Sequence, residues 1–487
     1  MECKVPHEVE VVTAALEGAG FEAYIVGGCV RDMLLGRDPN DWDVTTNATP
    51  EQVQKVFPDS VYENDFGTVG IKTEADDDTL KIIEVTTYRI EGRYTDKRHP
   101  DTIRFAKTLE EDLSRRDFTI NACAARIVDG AVEAIVDPFG GQDDLRAKII
   151  RTVGRPEDRF GEDALRMLRA VRFAAQLGFD IEPQTQAAIT RDAALLAHIS
   201  QERIRDEFSK LIMTRQAAWG VQMLYSTGLL RFIIPELIEG VGMTQNKHHI
   251  FTVWEHNLRA LEYAASKNYS FEVRLASLLH DVGKPRTKRG DGPDATFYAH
   301  EIVGGRMTKK ILERLRYSKH IIEYVTHLVR YHLFYYNVGE VSEAGVRRFI
   351  ARVGEDSIDD LIKVREADRI GSGVPKAVPY KLRHLLFMIE KVKHDPISPK
   401  ALKINGTQLM ELLGIAPGPR VGHILNVLLE EVIDDPARNT RDYLEKRAQE
   451  LNAVSDADLE AMRAKAEAAK EEFDGAAETE MKKKHHV

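Results

Sequence analysis

Asp41 and Asp43 stand two residues apart in DWDVTT, a segment that reads as extended chain. Alternate side chains of a strand share a face, so both carboxylates would converge on one point. Two such charges repel unless a cation lies between them. Mg²⁺, which takes carboxylates together with substrate phosphates, suits the pair. A cation held there can activate a hydroxyl and steady a leaving pyrophosphate in an in-line displacement. Solvated loop acids also produce D-x-D pairs, so the neighbouring residues decide what weight this one carries.

Just upstream, Gly27 and Gly28 follow the apolar strand AYIV and open a helix bearing Arg31. Backbone N–H groups at such a turn can cradle phosphate. The alternative is an ordinary tight turn in which Arg31 caps the helix or pairs with Asp32. Glu84, in the strand-like IIEVTTYR, either completes a three-carboxylate site or lies on a strand surface paired with Arg89 or Lys81. LSRRDFTINACAARI sets Arg115, Arg116, Asp117 and Asn121 ahead of a strand. An Asp there can accept from ribose hydroxyls while an Arg fork clamps phosphate; an N-capped turn held by an ion pair is the plainer reading. In GEDALRMLRAVRF, Asp163, Arg166, Arg169 and Arg172 recur every three residues and would form one polar ridge on a helix. Such a ridge is either a salt-bridged solvated face or a reader of base edges. In the second case the carboxylate accepts from an exocyclic amine and the guanidinium donates to ring acceptors.

A second constellation lies in the C-terminal half. LASLLHDVGKP places His280 beside Asp281, with His256 upstream and His300, His332 and Asp368 downstream. Neutral imidazoles with carboxylates suit a divalent transition metal, although a single His-Asp pair is usually a structural couple.

The elements that must position these groups can be read from periodicity. Residues 1–21 read as an amphipathic helix stopped by Gly18 and Gly20, and TPEQVQKVF as a helix with Thr49 as N-cap and Pro50 in its first turn. TVGIKT, LKIIEVTTY and AARIV read as strands. Strands mixed with helices predict an α+β N-terminal head. From about Gly154 the pattern turns helical almost to the end, with RFGEDALRMLRAVRFAAQLG as one helix ended by Gly178. Gly/Pro punctuation near 234–242, 290–293 and 415–418 marks candidate boundaries.

A chain of 487 residues is expected to hold several domains. Hydrophobic residues at 43% and charged residues at 30% exclude wholesale disorder. Three cysteines, Cys3, Cys29 and Cys123, argue for a reducing compartment. MECKVPHEVEVV lacks the apolar core of a signal peptide, and LLRFIIPELIEGV is too short and too charged to span a bilayer. A cytoplasmic protein without membrane contact is expected. The net charge of −10 sits awkwardly with nucleic-acid binding. A local stripe built from the ridge with Arg151, Arg155 and Arg159 would answer it.

The run VGGCVRDMLLGRDPNDWDVTTNATPEQV resembles the signature of the tRNA CCA-adding enzyme and poly(A) polymerase family, the class II nucleotidyltransferases. The resemblance implies a polymerase-β-like α+β nucleotidyltransferase head, then an all-α neck, HD body and tail. The expected divisions are 1–150, 151–235, 236–380 and 381–455, with a charged extension at 456–487. By the same resemblance Asp41 and Asp43 bind catalytic Mg²⁺, and Gly27, Gly28 and Arg31 hold the triphosphate. Arg116 and Asp117 are assigned to the nucleotide, and Asp163 with Arg166 act as a protein template for CTP or ATP. Arg169 and Arg172 serve phosphates or support the helix. YRIEGRYTDKRHPDTIRF resembles the flexible loop needed for adding the terminal A, and DPFGGQDDLRAKIIRTVG the hinge, with Asp137 and Gly140 at a turn. SQERIRDEFSKLI resembles the last motif, a structural support.

The set H…HD…H…H…D resembles the HD phosphohydrolases. It implies His256, His280, Asp281 and Asp368 as metal ligands, with His300 and His332 for a second ion. A working hydrolase and a degenerate scaffold that only supports tRNA both remain open. The expected activity is addition of C, C and A from CTP and ATP to the tRNA 3′ end, with the tail binding tRNA. Poly(A) polymerase, and a metal phosphohydrolase with an RNA-binding N-terminal half, are the alternatives. Oligomeric state is not specified by the sequence.

Overall fold

The computed structural model describes residues 5–39, 41–62, 67–91, 103–246 and 250–465. Most of the expected flexible loop, at 92–102, and residues 466–487 of the extension lie outside the described residues. The chain divides into two compact units, Met1–Glu239 with Ile311–Tyr317, and Gly240–Lys310 with Ser318–Val487.

In the first unit β1 (Ala23–Val26), β2 (Asp43–Thr46), β3 (Val61–Tyr62), β4 (Thr68–Lys72) and β5 (Ile82–Thr87) arise in turn. Next come β6 (Arg89–Glu91) and β7 (Ile103–Phe105), a separate two-stranded ladder, and then β8 (Ala124–Val128) and β9 (Ala131–Val136). The main sheet has seven strands in the order β3-β4-β5-β2-β1-β8-β9. Strand β2 runs antiparallel to β1 and parallel to β5, with Asp43 in register with Glu84. Along β5 the side chains alternate as the pleat demands: Ile83 and Val85 are fully buried, while Ile82 and Glu84 are exposed. Val9, Val12 and Leu16 of the first helix, His7–Gly18, join Ile25, Val44 and Val53 in the head core. The helix Pro50–Val56 starts from a capping box of Thr49 and Gln52.

Several elements differ from the sequence reading, the unread strands β3 and β7 among them. Strand β9 was not anticipated. Its signal is Asp129-Gly130, both at positive φ (50° and 70°), a turn dipeptide that folds AVEAIV back on β8. The expected single helix over RFGEDALRMLRAVRFAAQLG is two, Pro156–Glu162 and Leu165–Leu177. Asp163 is extended there (φ −140°, ψ 106°), and its carboxylate accepts from the Leu165 N–H at 3.0 Å. Asp therefore acts here as a cap for the second helix rather than as an interior residue. Gly178, left-handed at φ 74°, ends that helix as expected. Leu165–Leu177 then packs against Gln201–Ile212 and Ala217–Ser226.

The second unit is helical. Val253–Ser266 packs along Glu355–Gly371 and Phe271–Leu279, and the latter also packs on Lys319–Tyr331. Towards the C-terminus Gly406–Leu413, Pro419–Asp434 and Arg441–Asn452 enclose a core of their own, with Leu409, Leu428, Val432 and Leu444 fully buried. Among the described residues no helix is long and apolar enough to cross a membrane.

Candidate active site and metal centre

In the head, Gly27 leaves β1 at φ 83°. A Cβ there would stand 2.9 Å from Arg116 Nη1 and 3.8 Å from Asp43 Oδ2. The bare glycine thus lets the turn, the arginine and the aspartate meet, in a backbone conformation that a side chain would strain. Asp43 opens β2 and is half-buried, whereas Asp41, just before the strand, is exposed. Burial pushes the Asp43 carboxyl up; Arg116 pulls it down and Asp41 adds to the rise, leaving it raised. Glu84 lies beside Asp43 in the parallel register and so presents its side chain on the same sheet face. The three carboxylates form an open group. Among the described residues, only two His/Asp triplets in the second unit bring three ligand atoms within 4.8 Å of one another. The Arg116 Nε is buried without a hydrogen-bond partner among those residues, a donor suited to an anion.

Arg31 is committed to the protein. Its Nε and Nη2 donate to the Asp32 carboxylate at 2.9 Å each, and Nη1 donates to Asn121 Oδ1 at 2.9 Å. Asn121 in turn donates to Asp117 Oδ1 at 3.2 Å, which also accepts from the Phe118 N–H at 2.9 Å. Arg169 closes on the other oxygen of Asp117, with Nε at 2.8 Å and Nη2 at 2.7 Å. Burial works against the Asp117 charge, but Arg169 and Arg166 overcome it and hold the carboxyl at about 2.

The ridge expected from the three-residue spacing is a set of ion pairs, and Asp163 lies at the break before the helix that carries the three arginines. Arg166 donates to Glu162 at 2.5 Å and to the Arg115 carbonyl at 3.1 Å. Buried Arg172 donates to Glu207 Oε2 at 2.6 Å and to Gln176 at 2.7 Å, with its guanidinium carbon 3.8 Å from the centre of the Phe173 ring. Arg169 also reaches Glu207, at 3.4 Å. Asp163 receives both arms of Arg203, at 3.2 and 2.6 Å. The upstream arginines of the expected basic stripe are paired as well: Arg151 with Asp144 and Glu182, Arg155 with Glu157, Arg159 with Glu162. Sequence reasoning missed Arg203 and Glu207. Their i, i+4 spacing beside the buried Ile204, Phe208 and Leu211 of Gln201–Ile212 was the available signal.

In the second unit the six expected ligands come together. His256 lies on Val253–Ser266, His280 and Asp281 follow Phe271–Leu279, His300 opens His300–Arg314, His332 ends Lys319–Tyr331 and Asp368 lies on Glu355–Gly371. His256, His280 and Asp368 form one triplet, and Asp281, His300 and His332 the other. Asp281 joins them: Oδ2 is 3.1 Å from His256 Nε2 and 3.4 Å from His280 Nε2, while Oδ1 is 3.3 Å from His300 Nε2 and 3.7 Å from His332 Nε2. Three of the imidazoles share one orientation. Nδ1 of His280, His300 and His332 donates to the carbonyls of Ser277, Phe297 and Val329 at 2.8, 2.8 and 2.7 Å. A carbonyl can only accept, so in the neutral ring Nε2 keeps its lone pair, facing the cluster. Burial opposes protonation of His280, yet Asp281 and Asp368 raise it to about 10; burial, with His280 and His300 nearby, lowers His332 to about 3. Lys284 Nζ lies 2.6 Å from Asp281 Oδ2, and Arg365 Nη1 2.6 Å from Asp368 Oδ2.

The fold is shared with known proteins. Residues 23–151 match the Poly A polymerase head domain, 178–240 the probable RNA and SrmB-binding site of polymerase A, and 253–372 the HD domain. The A-adding tRNA nucleotidyltransferase of Deinococcus radiodurans is 35% identical over 84% of this chain and 91% of its own length. The CCA-adding enzyme of Lactobacillus helveticus is 34% identical over 91% of this chain and 96% of its own. A crystal structure of the Bacillus stearothermophilus CCA-adding enzyme in complex with CTP superposes with a TM-score of 0.65 at 29% identity, covering 91% of this chain and 97% of that one. The chain belongs to the CCA-adding enzyme family. It is a nucleotidyltransferase with a polymerase-type head followed by a helical body containing an HD domain.

For this family member the two donor sets fit different ions. The head offers carboxylate oxygens alone, which suit a hard cation, and Asp43, whose carboxyl is raised, gains most from a positive neighbour. The HD cluster mixes imidazole nitrogens with carboxylates, which suits a softer divalent ion. Asp281 Oδ2 lies against the His256 and His280 Nε2 atoms and the Lys284 ammonium, the meeting point of the imidazole and carboxylate donors.

Two tests follow from this geometry. Glu207→Ala should destabilise the first unit by about 3 kcal/mol, because Arg172 is left buried beside no carboxylate. The double variant Arg172→Met, Glu207→Met should recover most of that loss in denaturant unfolding; no recovery would mean that the pair is not the source. A Cβ on Gly283 would overlap the His300 carbonyl oxygen and stand 2.6 Å from the Gly304 nitrogen. Gly283→Ala should therefore lower thermal stability by on the order of 3 kcal/mol. An unchanged melting temperature would refute that close approach.

Proposed function

We propose that this nucleotidyltransferase extends the 3′ end of tRNA with C, C and A from CTP and ATP. The contact of Gly27, Asp43 and Arg116 at the end of β1 carries the reading, because it places a phosphate-suited guanidinium beside a metal-suited carboxylate. The full-length likeness to CCA-adding enzymes supports it. Asp41 and Asp43 would hold Mg²⁺, with Glu84, in register with Asp43 on the neighbouring strand, as the third carboxylate. When bound, the ion supplies Lewis-acid stabilisation of the charge that develops on the reacting phosphate. Arg116 and the backbone N–H groups of Gly27 and Gly28 bind the triphosphate, and Asp117 orients the ribose. The tRNA 3′-oxygen attacks the α-phosphorus, its proton is lost to a base, and pyrophosphate leaves. Asp163 and Arg166 select the base by accepting from its exocyclic amine and donating to ring acceptors. Arg203 holds the plane of Asp163, while Arg31, Arg169 and Arg172 keep the turn and helix in place. In this reading the head ends near 150, the neck near 235 and the HD body near 380, with tRNA contacts in the tail over 381–455.

A narrower reading, addition of the terminal A alone, is favoured by the Deinococcus radiodurans relative. Transcripts ending at the discriminator base, at C and at CC decide between the two when incubated with each nucleotide. CCA addition predicts incorporation on all three, with CTP used first. A-only addition predicts turnover solely on the CC end, and long A tracts on any RNA would instead indicate a poly(A) polymerase. Asp43→Asn should reduce incorporation by at least about three orders of magnitude without altering the melting profile; retained activity would remove Asp43 from the reaction.

For the HD cluster we propose a divalent transition metal and hydrolysis of phosphate esters. Metal analysis of the purified protein should find such an ion, and His280→Ala should lose both the ion and hydrolysis of an activated phosphodiester while nucleotide incorporation continues. A wild-type protein that binds no transition metal and hydrolyses nothing would leave the cluster as a scaffold.

A further inference from the structure

The helix Tyr380–Val392 is apolar on two opposite sides. Leu382, Leu385 and Val392 face the protein and are buried. On the other side Tyr380, His384 and Phe387 follow one another at i, i+4 and i+7, the spacing of a single helical face. Tyr380 is 62% exposed and Phe387 61%. The rings form a row, with the Tyr380 and His384 centroids 6.1 Å apart and those of His384 and Phe387 also 6.1 Å apart. Tyr336 backs the row: its ring lies 5.9 Å from His384, and its hydroxyl bonds His384 Nδ1. Two large aromatic rings this exposed, on the face turned away from the core, bury little apolar area on folding.

Two cations flank the row without a carboxylate partner among the described residues. Lys381 bonds the side-chain oxygen of Asn337, and Arg383 the Val378 carbonyl at 3.2 Å; among the described residues neither meets a carboxylate. The arginines of the first unit's site, Arg151, Arg159, Arg166, Arg169, Arg172 and Arg203, are by contrast each paired with an acid. Lys391, on the same face, pairs with Glu343. Unpaired cations suit phosphates, and exposed rings suit the faces of unstacked bases; together they characterise surfaces that bind unpaired nucleotides. A second copy of the chain would gain from the rings, but it would have to desolvate two uncompensated cations.

We infer that the Tyr380–His384–Phe387 face, flanked by Lys381 and Arg383, is a stacking platform for unpaired nucleotides of the RNA substrate. The inference rests on the tRNA reading above and deepens it by naming the side chains that would meet unpaired nucleotides and the stacking by which they would hold them. The double variant Tyr380→Ala, Phe387→Ala of the full chain should bind tRNA lacking its CCA end about ten- to a hundred-fold more weakly. Its KM for CTP and its turnover at saturating tRNA should stay unchanged. Tyr380→Phe with Phe387→Tyr should bind as the wild type does, because stacking needs only the rings. Lys381→Ala with Arg383→Ala should also flatten the salt dependence of binding, which the aromatic variant should leave unaltered. Unchanged tRNA affinity in the aromatic variant would overturn the platform. So would a wild-type dimer in light scattering that the aromatic substitutions dissociate, because a second copy would then occupy the face. A uridine oligonucleotide separates this idea from the tRNA reading. If wild type adds nothing to tRNA yet the aromatic variant loses oligonucleotide binding, the function fails and the platform stands.

Discussion

The ion pair between buried Asp117 and half-buried Arg169 holds the first unit's candidate site together. A carboxylate this deep can stay charged only with a cation against it, and its low pKa records how firmly it is held. From that pair the network runs through Asn121 and Arg31 to the glycine turn, and through Glu207 and Arg172 to the helix Gln201–Ile212. Segments far apart in sequence are thereby tied into one polar spine. Moving any member leaves another buried and unpaired, so the spine fixes where Asp163 and Arg166 stand relative to Asp43.

That constraint changes how the arginines are understood. As a row of charges at three-residue intervals they resemble a surface for RNA. Folded, most of them neutralise acids, and the acidic net charge and the buried arginines are two sides of one arrangement. The basic surface left without carboxylate partners includes Lys381 and Arg383, in the helical second unit.

The HD cluster solves the same problem of buried charge by different means. Three imidazoles are oriented by backbone carbonyls at helix ends, and Asp281 shares its two oxygens between the two triplets. Gly283 lets the turn after Asp281 press against the start of His300–Arg314, which places His300 beside the carboxylate. The head site, by contrast, is open and made of oxygens, as suits an ion shared with a substrate.

Local pattern was enough for much of this protein. The glycine turn, the D-x-D strand and the N-cap at Thr49 are short-range signals, legible because turn chemistry and strand alternation act within a few residues, whereas the HD set, spread over residues 256–368, was legible through its family resemblance. The full likeness to the CCA-adding family then made an α+β head with a helical body readable from the chain alone. Tertiary structure decided what local pattern left open. Glu84 could have faced Arg89, Lys81 or Asp43, and only the parallel pairing of β2 with β5 put it beside Asp43. The helix expected through Asp163 broke because its carboxylate caps Leu165 and takes both arms of Arg203, a partner on another helix. Asp41 and Asp43 were legible as a metal-suited pair from their spacing taken together with the glycine turn and the family resemblance. That Asp43 is half-buried against Arg116 and a bare Gly27 was not, because burial and charge pairing depend on which distant segments the fold brings together.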